Sequence, residues 1–471
     1  MEYLATAHQM QTIDQYLIEN KNYTILELID LAAKQLYLRL SHFKRPLILC
    51  GPGNNGADGL ALAKLFKHDQ KEVHTKLFYF EKANAQVKTL LDPTLVVEDV
   101  DLSQYDVIVD GIFGNGLAYP IEKTLQQFIY HVNNSSAYKV SIDIPTNINA
   151  DLGILGDEAF KADLTITFMC YKKAMLNLNL QTYFGKIDLA HFGIEQNVLH
   201  LLNLAKLVDK DYITSIIKKR HYDDYKGTYG TVLHLTGSRN YTGASVLAAK
   251  GSIYSGSGIV KVVSDQEVIE AIQTHCIEAV VDTLSITDFE NYQAILIGCG
   301  KGRSRQTYQL LKDVLTKSQV PIVIDADGLN VLSENLELLK QKQCPVILTP
   351  HIGELHRLMP ECNDFIEAAK KLALDYQVIC LVKGPHTFIS DGTTHFYNTT
   401  GNPAMASAGM GDVLAGMICS FCGQGYLPMQ ATVLGVYLHG LCADQLAQNQ
   451  YTVLAHQLIE QIPFIMKTLI K

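Results

Sequence analysis

Residues 46–66 read Pro-Leu-Ile-Leu-Cys-Gly-Pro-Gly-Asn-Asn-Gly-Ala-Asp-Gly-Leu-Ala-Leu-Ala-Lys-Leu-Phe. The apolar run Pro46 to Leu49 has the length of a buried strand, Leu60 to Phe66 reads as a helix, and a glycine-rich loop joins them. A strand feeding a helix in this way is half of a parallel βαβ unit, so the stretch predicts an α/β fold. Glycines let the backbone approach a ligand, and the N–H groups that open a helix favour phosphate. Asn54, Asn55 and Asp58 add groups that could hold a ribose, a hydrated ring or a monovalent cation. The same residues also read as a tight turn with a helix cap.

The alternation continues in both directions. Strand candidates at Pro46 to Leu49, Val73 to Phe80, Asp106 to Val109, Lys139 to Ile144 and Leu164 to Phe168 form a first series. A second series runs through Thr231 to Leu235, Ile259 to Val263, Ala294 to Ile297, Pro321 to Ile324, Val346 to Leu348 and Val378 to Val382. A mixed, helical segment from about Asn197 to Arg220 separates them. Two doubly wound domains are therefore expected, residues 1–210 and 221–471, with the boundary near 205 to 220.

The chain of 471 residues is about three times the commonest domain size, which agrees with more than one core. At 48% hydrophobic and 18% charged, it excludes collagen-like and largely disordered classes. Its longest apolar stretches, such as Val413 to Cys422, fall short of the roughly 20 residues that span a bilayer. Met1 to Gln11 carries no basic region followed by an apolar core, so a cytoplasmic protein is expected. A net charge of -9 gives no reason to bind nucleic acid or an anionic membrane. Small molecules are the expected partners, in a homo-oligomer. Ten cysteines without paired spacing suit reduced thiols, and the Cys419–Cys422 pair lies in an apolar helical run better read as buried packing than as zinc or redox chemistry.

Two more loops follow first-series strands. One is Asp110-Gly111-Ile112-Phe113-Gly114-Asn115-Gly116-Leu117, the other Asp143-Ile144-Pro145-Thr146-Asn147. In a doubly wound sheet the carboxyl ends of the strands face one crevice, where Asn55, Asp58, Asp110, Asp143 and Thr146 could converge. A single Asp at a strand end more commonly caps a turn, and three such loops together weigh against that role.

The runs GPGNNGADG, DGIFGNGL, SIDIPTNINADLG and ADLTITF resemble the amino-terminal, Rossmann-like domain of the bifunctional NAD(P)H-hydrate repair enzymes over about residues 1 to 205. In that family this domain interconverts the R and S forms of hydrated NADH and NADPH. The resemblance implies that Asn54, Asn55, Gly56, Ala57 and Asp58, together with Gly114, Asn115, Gly116, Leu117, Ala118, Tyr119 and Pro120, bind the hydrate. It also implies a K+ ion on Asn55, Asp110 and Thr146, with Asp143 contacting substrate as the acid/base group. Ala57 stands where the family usually has Gly, and Thr146-Asn147 where it usually has Ser-Gly. Thr keeps the hydroxyl ligand. The Ala57 methyl is expected to crowd the ligand.

The second half carries Gly401-Asn402-Pro403-Ala404-Met405-Ala406-Ser407-Ala408-Gly409-Met410-Gly411-Asp412 before the helix from Val413. Glycine-rich backbone at a helix start makes an anion hole, and a carboxylate beside it can take the proton of an attacking hydroxyl. That pairing suits phosphoryl transfer; the alternative is a helix cap by Asp412. Further strand-end loops are Gly298 to Gly302, Asp325 to Asn330, Thr349 to Glu354 with His351 in a turn, and Lys383 to Thr387. A lone His is more often structural, but these loops should open on one crevice.

With Lys226-Gly227, Tyr229-Gly230, Gly237-Ser238-Arg239 and Tyr241-Thr242-Gly243-Ala244, this half resembles the ribokinase-like NAD(P)H-hydrate dehydratase over residues 221–471. The resemblance implies that Ala244, Gly302, His351 and Asp412 contact the hydrate, while Lys383, Gly384, Pro385, His386, Thr387 and Gly411 bind the adenine nucleotide. Met410 stands where ribokinase-like kinases often carry Ala. Asp412 is the expected base and Mg2+ is expected on the phosphates; the fusion of both halves resembles the prokaryotic arrangement of the family, which implies ADP rather than ATP as donor. The expected substrates are NADHX and NADPHX, the hydrates. The alternative is a ribokinase-like vitamin or sugar kinase fused to a non-catalytic nucleotide-binding module.

Overall fold

The computed structural model describes residues 1–193, 199, 202–283 and 288–470. It divides into two compact units, one of Glu2–Leu204 and one running from Ala205 to the carboxyl end together with Met1. Of the segment 197–220 expected to be helical, 197, 198, 200 and 201 lie outside the described residues. The remainder contains a strand, Ala205–Leu207, and a helix, Lys210–Ile216, both within the second unit. No helix among the described residues is long and apolar enough to cross a membrane.

The amino-terminal unit is a six-stranded parallel sheet in the order Lys186–Ala190, Leu164–Phe168, Tyr138–Ile142, Val107–Gly111, Pro46–Cys50, His74–Leu77. Its central strands are buried along most of their length, which is why they read as unbroken apolar runs. The order reverses between Pro46–Cys50 and Val107–Gly111, and the loops after those two strands are the glycine-rich ones. Tyr3–Ala5 pairs in parallel with Tyr171–Lys172, placing Ala5 opposite Lys172. The helix Ala7–Lys21 follows, opened by a capping box between Thr6 and Gln9.

Two expected strands end early for the same reason. Tyr79 at φ 57° breaks the run expected to reach Phe80, and Asp143 at φ 65° ends Tyr138–Ile142 before Ile144.

The carboxyl-terminal unit has the order Val280–Asp282, Ile259–Val263, Thr231–Leu235, Ala294–Ile297, Ile322–Ile324, Val346–Leu348, Ile379–Val382, all parallel. Phe388–Ser390 and His395–Tyr397 extend it antiparallel, and Ala205–Leu207 joins the last of these in parallel. Here the order reverses between Thr231–Leu235 and Ala294–Ile297. The helix Met410–Gly423 lies in the core against Thr242–Tyr254, so close that a β-carbon on Gly416 would stand 2.1 Å from the Ala248 carbonyl oxygen. Cys419 and Cys422 are buried free thiols on this helix, and burial raises both well away from their ionised form.

Candidate active sites

In the amino-terminal unit a cavity of about 470 Å³ opens where the strand order reverses. Asn54, Asn55, Asp58, Gly114, Asn115, Gly116, Leu117 and Asp143 line it. Gly56 and Ala57 do not. Gly56 packs against the turn, where a β-carbon would meet the Gly51 carbonyl oxygen at 2.0 Å. Ala57 is buried in the apolar core between the sheet and the helix Ile25–Leu40. The methyl expected to crowd the ligand therefore points away from it: on the helix Asn54–His68, Ala57 faces the core while Asn54 and Asp58 reach the cavity. Ala118, Tyr119 and Pro120 are also off the cavity wall, and Tyr119 is exposed.

Asp143 is the best-held group of this site. Its Oδ1 accepts from Thr167 Oγ1 at 2.9 Å and from the Lys172 ammonium, while its Oδ2 accepts from Asn115 Nδ2. Lys172 is fully buried and donates also to Thr167 Oγ1 at 2.8 Å and the Phe168 carbonyl at 3.1 Å. Because Asn115 gives its amide N–H to a carboxylate, its Oδ1 is left buried without a partner, an acceptor available to a ligand N–H or O–H. Asp58, also on the cavity wall, has its carboxyl raised well above the usual range by burial and by the charges of Asp143 and Asp14. Asp14, from the helix Ala7–Lys21, stands at the rim. Neither Asp14 nor Lys172 was among the expected site residues.

Asp110 and Thr146 are both buried and bonded twice, Thr146 N to Oδ2 and Thr146 Oγ1 to Oδ1, each at 2.7 Å. Burial pushes the Asp110 carboxyl up to about 6 against these hydrogen bonds. Phe113 ties the group to the third expected ligand: its N–H donates to Thr146 Oγ1 at 3.2 Å and its carbonyl accepts from Asn55 Nδ2 at 2.9 Å. Asn147 sits at φ 72°, which explains why this position accepts Asn in place of Gly.

In the carboxyl-terminal unit, Asp325, Asp412, Lys383, Gly411 and Cys299 meet. The Lys383 ammonium donates to Asp325 Oδ1 at 2.7 Å, and Thr349 Oγ1 donates to the same oxygen at 2.7 Å. Ligand atoms of Cys299, Asp325 and Asp412 lie within 4.8 Å of one another. A β-carbon on Gly411 would come 3.2 Å from Lys383 Nζ, so glycine lets the helix start approach the ammonium. Burial and the charge of Asp325 push the Asp412 carboxyl up to about 7. Burial alone would lower the Lys383 ammonium, yet Asp325 and Glu354 carry it upward. Ala326, between Asp325 and Asp327, is held at φ 49°, ψ -116°, a strained conformation of the kind that gathers at functional loops.

Of the remaining expected residues, Ala244 lies on the helix Thr242–Tyr254 and the others on neighbouring strand-end loops. Gly302 N–H donates to Asp327 Oδ2 at 2.8 Å, and Ala244 stands against the loop at Gly300. His351 caps the helix Ile352–Leu358, its Nδ1 accepting from Glu354 N–H at 3.2 Å while Glu354 Oε2 accepts from His351 N–H. Lys383 is bridged to His351 through backbone, with its N–H on the Pro350 carbonyl at 2.8 Å. Gly384 faces open space, and Thr387 Oγ1 reaches back to its carbonyl at 3.4 Å.

The fold and these two sites define a two-unit α/β enzyme, a Rossmann-like domain joined to a ribokinase-like one. The family model of NAD(P)H-hydrate dehydratase matches residues 232–464, and the model of the YjeF-related protein N-terminus matches residues 17–174. The chain is 30% identical to the bifunctional NAD(P)H-hydrate repair enzyme Nnr of Moorella thermoacetica, over 99% of this chain and 97% of that one. It is likewise 30% identical to the enzyme of that name from Thermofilum pendens, over 86% and 83%. An ADP/ATP-dependent NAD(P)H-hydrate dehydratase from Bacillus subtilis, co-crystallised with ATP/Mg2+, superposes with a TM-score of 0.51 at 30% identity, covering 56% of this chain and 99% of that one. The chain belongs to the family of bifunctional NAD(P)H-hydrate repair enzymes.

Proposed function

We propose that residues 1–210 form the epimerase of this repair enzyme and residues 221–471 its ADP-dependent dehydratase. The observation that carries the second assignment is the meeting of Asp412, Lys383 and Gly411 at the start of the helix Met410–Gly423. The S hydrate brings a hydroxyl, and Asp412 takes its proton as the oxygen attacks the terminal phosphorus of ADP. An O–P bond forms, the phosphoanhydride bond breaks, and AMP leaves. Phosphate then departs from the ring with loss of a neighbouring proton, which restores the double bond. Lys383 and the helix-start N–H groups hold the transferring phosphoryl charge. His351, Ala244 and Gly302 contact the hydrate, and Gly384 to Thr387 the nucleotide.

Mg2+ would arrive on the nucleotide phosphates and neutralise their charge; the oxygen chemistry of Asp325 and Asp412 beside them suits such a hard ion, and the Cys299 thiol does not. In the amino-terminal unit K+ would be held by side-chain oxygens of Asn55, Asp110 and Thr146, which Phe113 keeps together by accepting from Asn55 Nδ2 and donating to Thr146 Oγ1. Asp143 is the acid/base group there. We read the protein as cytoplasmic and homo-oligomeric, acting on small molecules without nucleic acid or membrane; its ten free thiols accord with a reducing compartment.

The test is single-turnover reaction of the full chain with purified S hydrate and ADP. Restored dihydronicotinamide absorbance with AMP and phosphate in equal amounts supports a dehydratase. Accumulation of a stable phosphorylated hydrate would make the unit a kinase instead.

A further inference from the structure

A dihydronicotinamide is an enamine, so water adds at the carbon next to the ring nitrogen. Inverting that centre requires the C–O bond to break and re-form on the other face. The departing hydroxyl must gain a proton to leave as water, with the nitrogen lone pair leaving an iminium. Water returning to the opposite face must then lose a proton. One proton donor and one proton acceptor are needed on the same cavity.

The cavity of the amino-terminal unit holds two carboxyl groups in opposite surroundings. Asp143 is paired with a buried ammonium. Lys172 spends its donors on Asp143 Oδ1, Thr167 Oγ1 and the Phe168 carbonyl, and so can turn to nothing else. Asp143 Oδ1 is saturated in return, by Lys172, by Thr167 and by Phe168 N–H at 3.4 Å, which leaves Oδ2, shared only with Asn115, as the oxygen free to work. The αL backbone of Asp143 at φ 65° is what turns the side chain back onto the Leu164–Phe168 strand end to make these bonds.

Asp58 has the reverse environment. It stands on the first turns of Asn54–His68, lines the cavity, and no hydrogen bond to it is found among the described residues. Burial and the nearby Asp143 and Asp14 charges favour its protonated form. Two carboxyls on one cavity, one bonded to a buried ammonium and the other without a hydrogen bond among the described residues, mark acceptor and donor. Besides Lys172, the titratable groups facing the pair are Asp14 from Ala7–Lys21 and Cys170, whose thiol burial pushes up to about 12.

We infer that Asp58 is the proton donor of the R/S interconversion and Lys172 the positioning residue that fixes Asp143 as its acceptor, which rests on the epimerase reading of this unit. Asp58 protonates the departing hydroxyl, Asp143 Oδ2 takes the proton of the returning water, and the proton passes back through cavity water to reset the site. No other reactant is consumed.

The experiment uses the full chain with ADP and compares consumption of R hydrate with that of S hydrate, which reports the carboxyl-terminal unit and serves as internal control. Lys172→Met is expected to lower R turnover about 100-fold or more and to move the acid limb of the R profile up by about 1 pH unit, with S turnover unchanged. Lys172→Arg should recover the limb in part, since it returns the charge. Asp58→Asn, which keeps the shape of the side chain, should lower R turnover by a like factor and remove the alkaline limb. If Lys172→Met does not fold, Thr167→Val and Asp58→Asn carry the same two expectations. Wild-type protein that consumes R hydrate no faster than R epimerises spontaneously would overturn the epimerase reading itself, and full R turnover in Asp143→Ala would remove Asp143, and with it the inference. An inactive Asp143→Ala beside unaltered profiles in Lys172→Met and Asp58→Asn would leave that reading standing and overturn the inference.

Discussion

The Lys383 ammonium stands 2.7 Å from Asp325 Oδ1, and the same ammonium is close enough to Gly411 to be touched by any side chain placed there. One cation thus pairs with Asp325 and lowers the Asp412 carboxyl through its field, at the start of the helix Met410–Gly423.

The pH dependence of dehydration follows from this arrangement. Asp412 is pushed up to about 7, so with Asp412 as the proposed base S-hydrate turnover is expected to fall as pH drops through that value. Lys383 lowers the Asp412 carboxyl and Asp325 raises it. Lys383→Met is expected to move the acid limb of kcat/KM up in pH, and Asp325→Asn to move it down. Asp412→Ala should cost about 100- to 10,000-fold while nucleotide binding, followed by calorimetry, persists.

The cation site gives a second expectation. Asp110 is pushed up to about 6 by burial, and a bound K+ would favour its ionised form. The ratio of R to S turnover should rise with added K+ at constant ionic strength. Asp110→Asn should abolish that rise.

Ala57→Gly is expected to slow nothing and to speed nothing at the epimerase site, because the methyl lies in the core. It should instead destabilise the amino-terminal unit by about 1–2 kcal/mol, the sum of glycine in a helix and one lost buried methyl. Denaturant unfolding alongside R turnover separates the two effects.

Three buried histidines set the acid stability of the carboxyl-terminal unit. Burial lowers His234 to about 3, and His395 and His439 to about 4. Depressed values mean that the unfolded chain binds the extra protons, so this stability is complete above about pH 6.5 and is lost as pH falls toward the folded values, by roughly 1.4 kcal/mol per pH unit for each His. His234→Gln should flatten the fall of Tm between pH 6 and 4.

How much of this was legible differs from residue to residue. The strand, loop and helix of residues 46–66 were readable because buried parallel strands are apolar runs and because Gly51 and Gly56 are required by close backbone approach. Asp412 was readable from the glycines before it. Lys172 was not: in Tyr171-Lys172-Lys173 it looks like surface, and its burial arises only when Tyr3–Ala5 pairs beside it, a contact between distant parts of the chain. Asp14 reads as the polar face of an amphipathic helix for the same reason. Cys299 lies in a loop expected to open on this crevice, and its meeting with Asp325 and Asp412 arises where two strand ends converge on the start of the helix Met410–Gly423. The edge strand Lys186–Ala190 and the inner strand Phe388–Ser390 were too short or too mixed to stand out.

The most direct measurement supplies the full chain with an equal mixture of R and S hydrate and follows dihydronicotinamide absorbance with and without ADP. The account expects no recovery without ADP and, with it, complete recovery of both epimers at a rate far above spontaneous epimerisation. Recovery that stops at half, with R remaining, would contradict it.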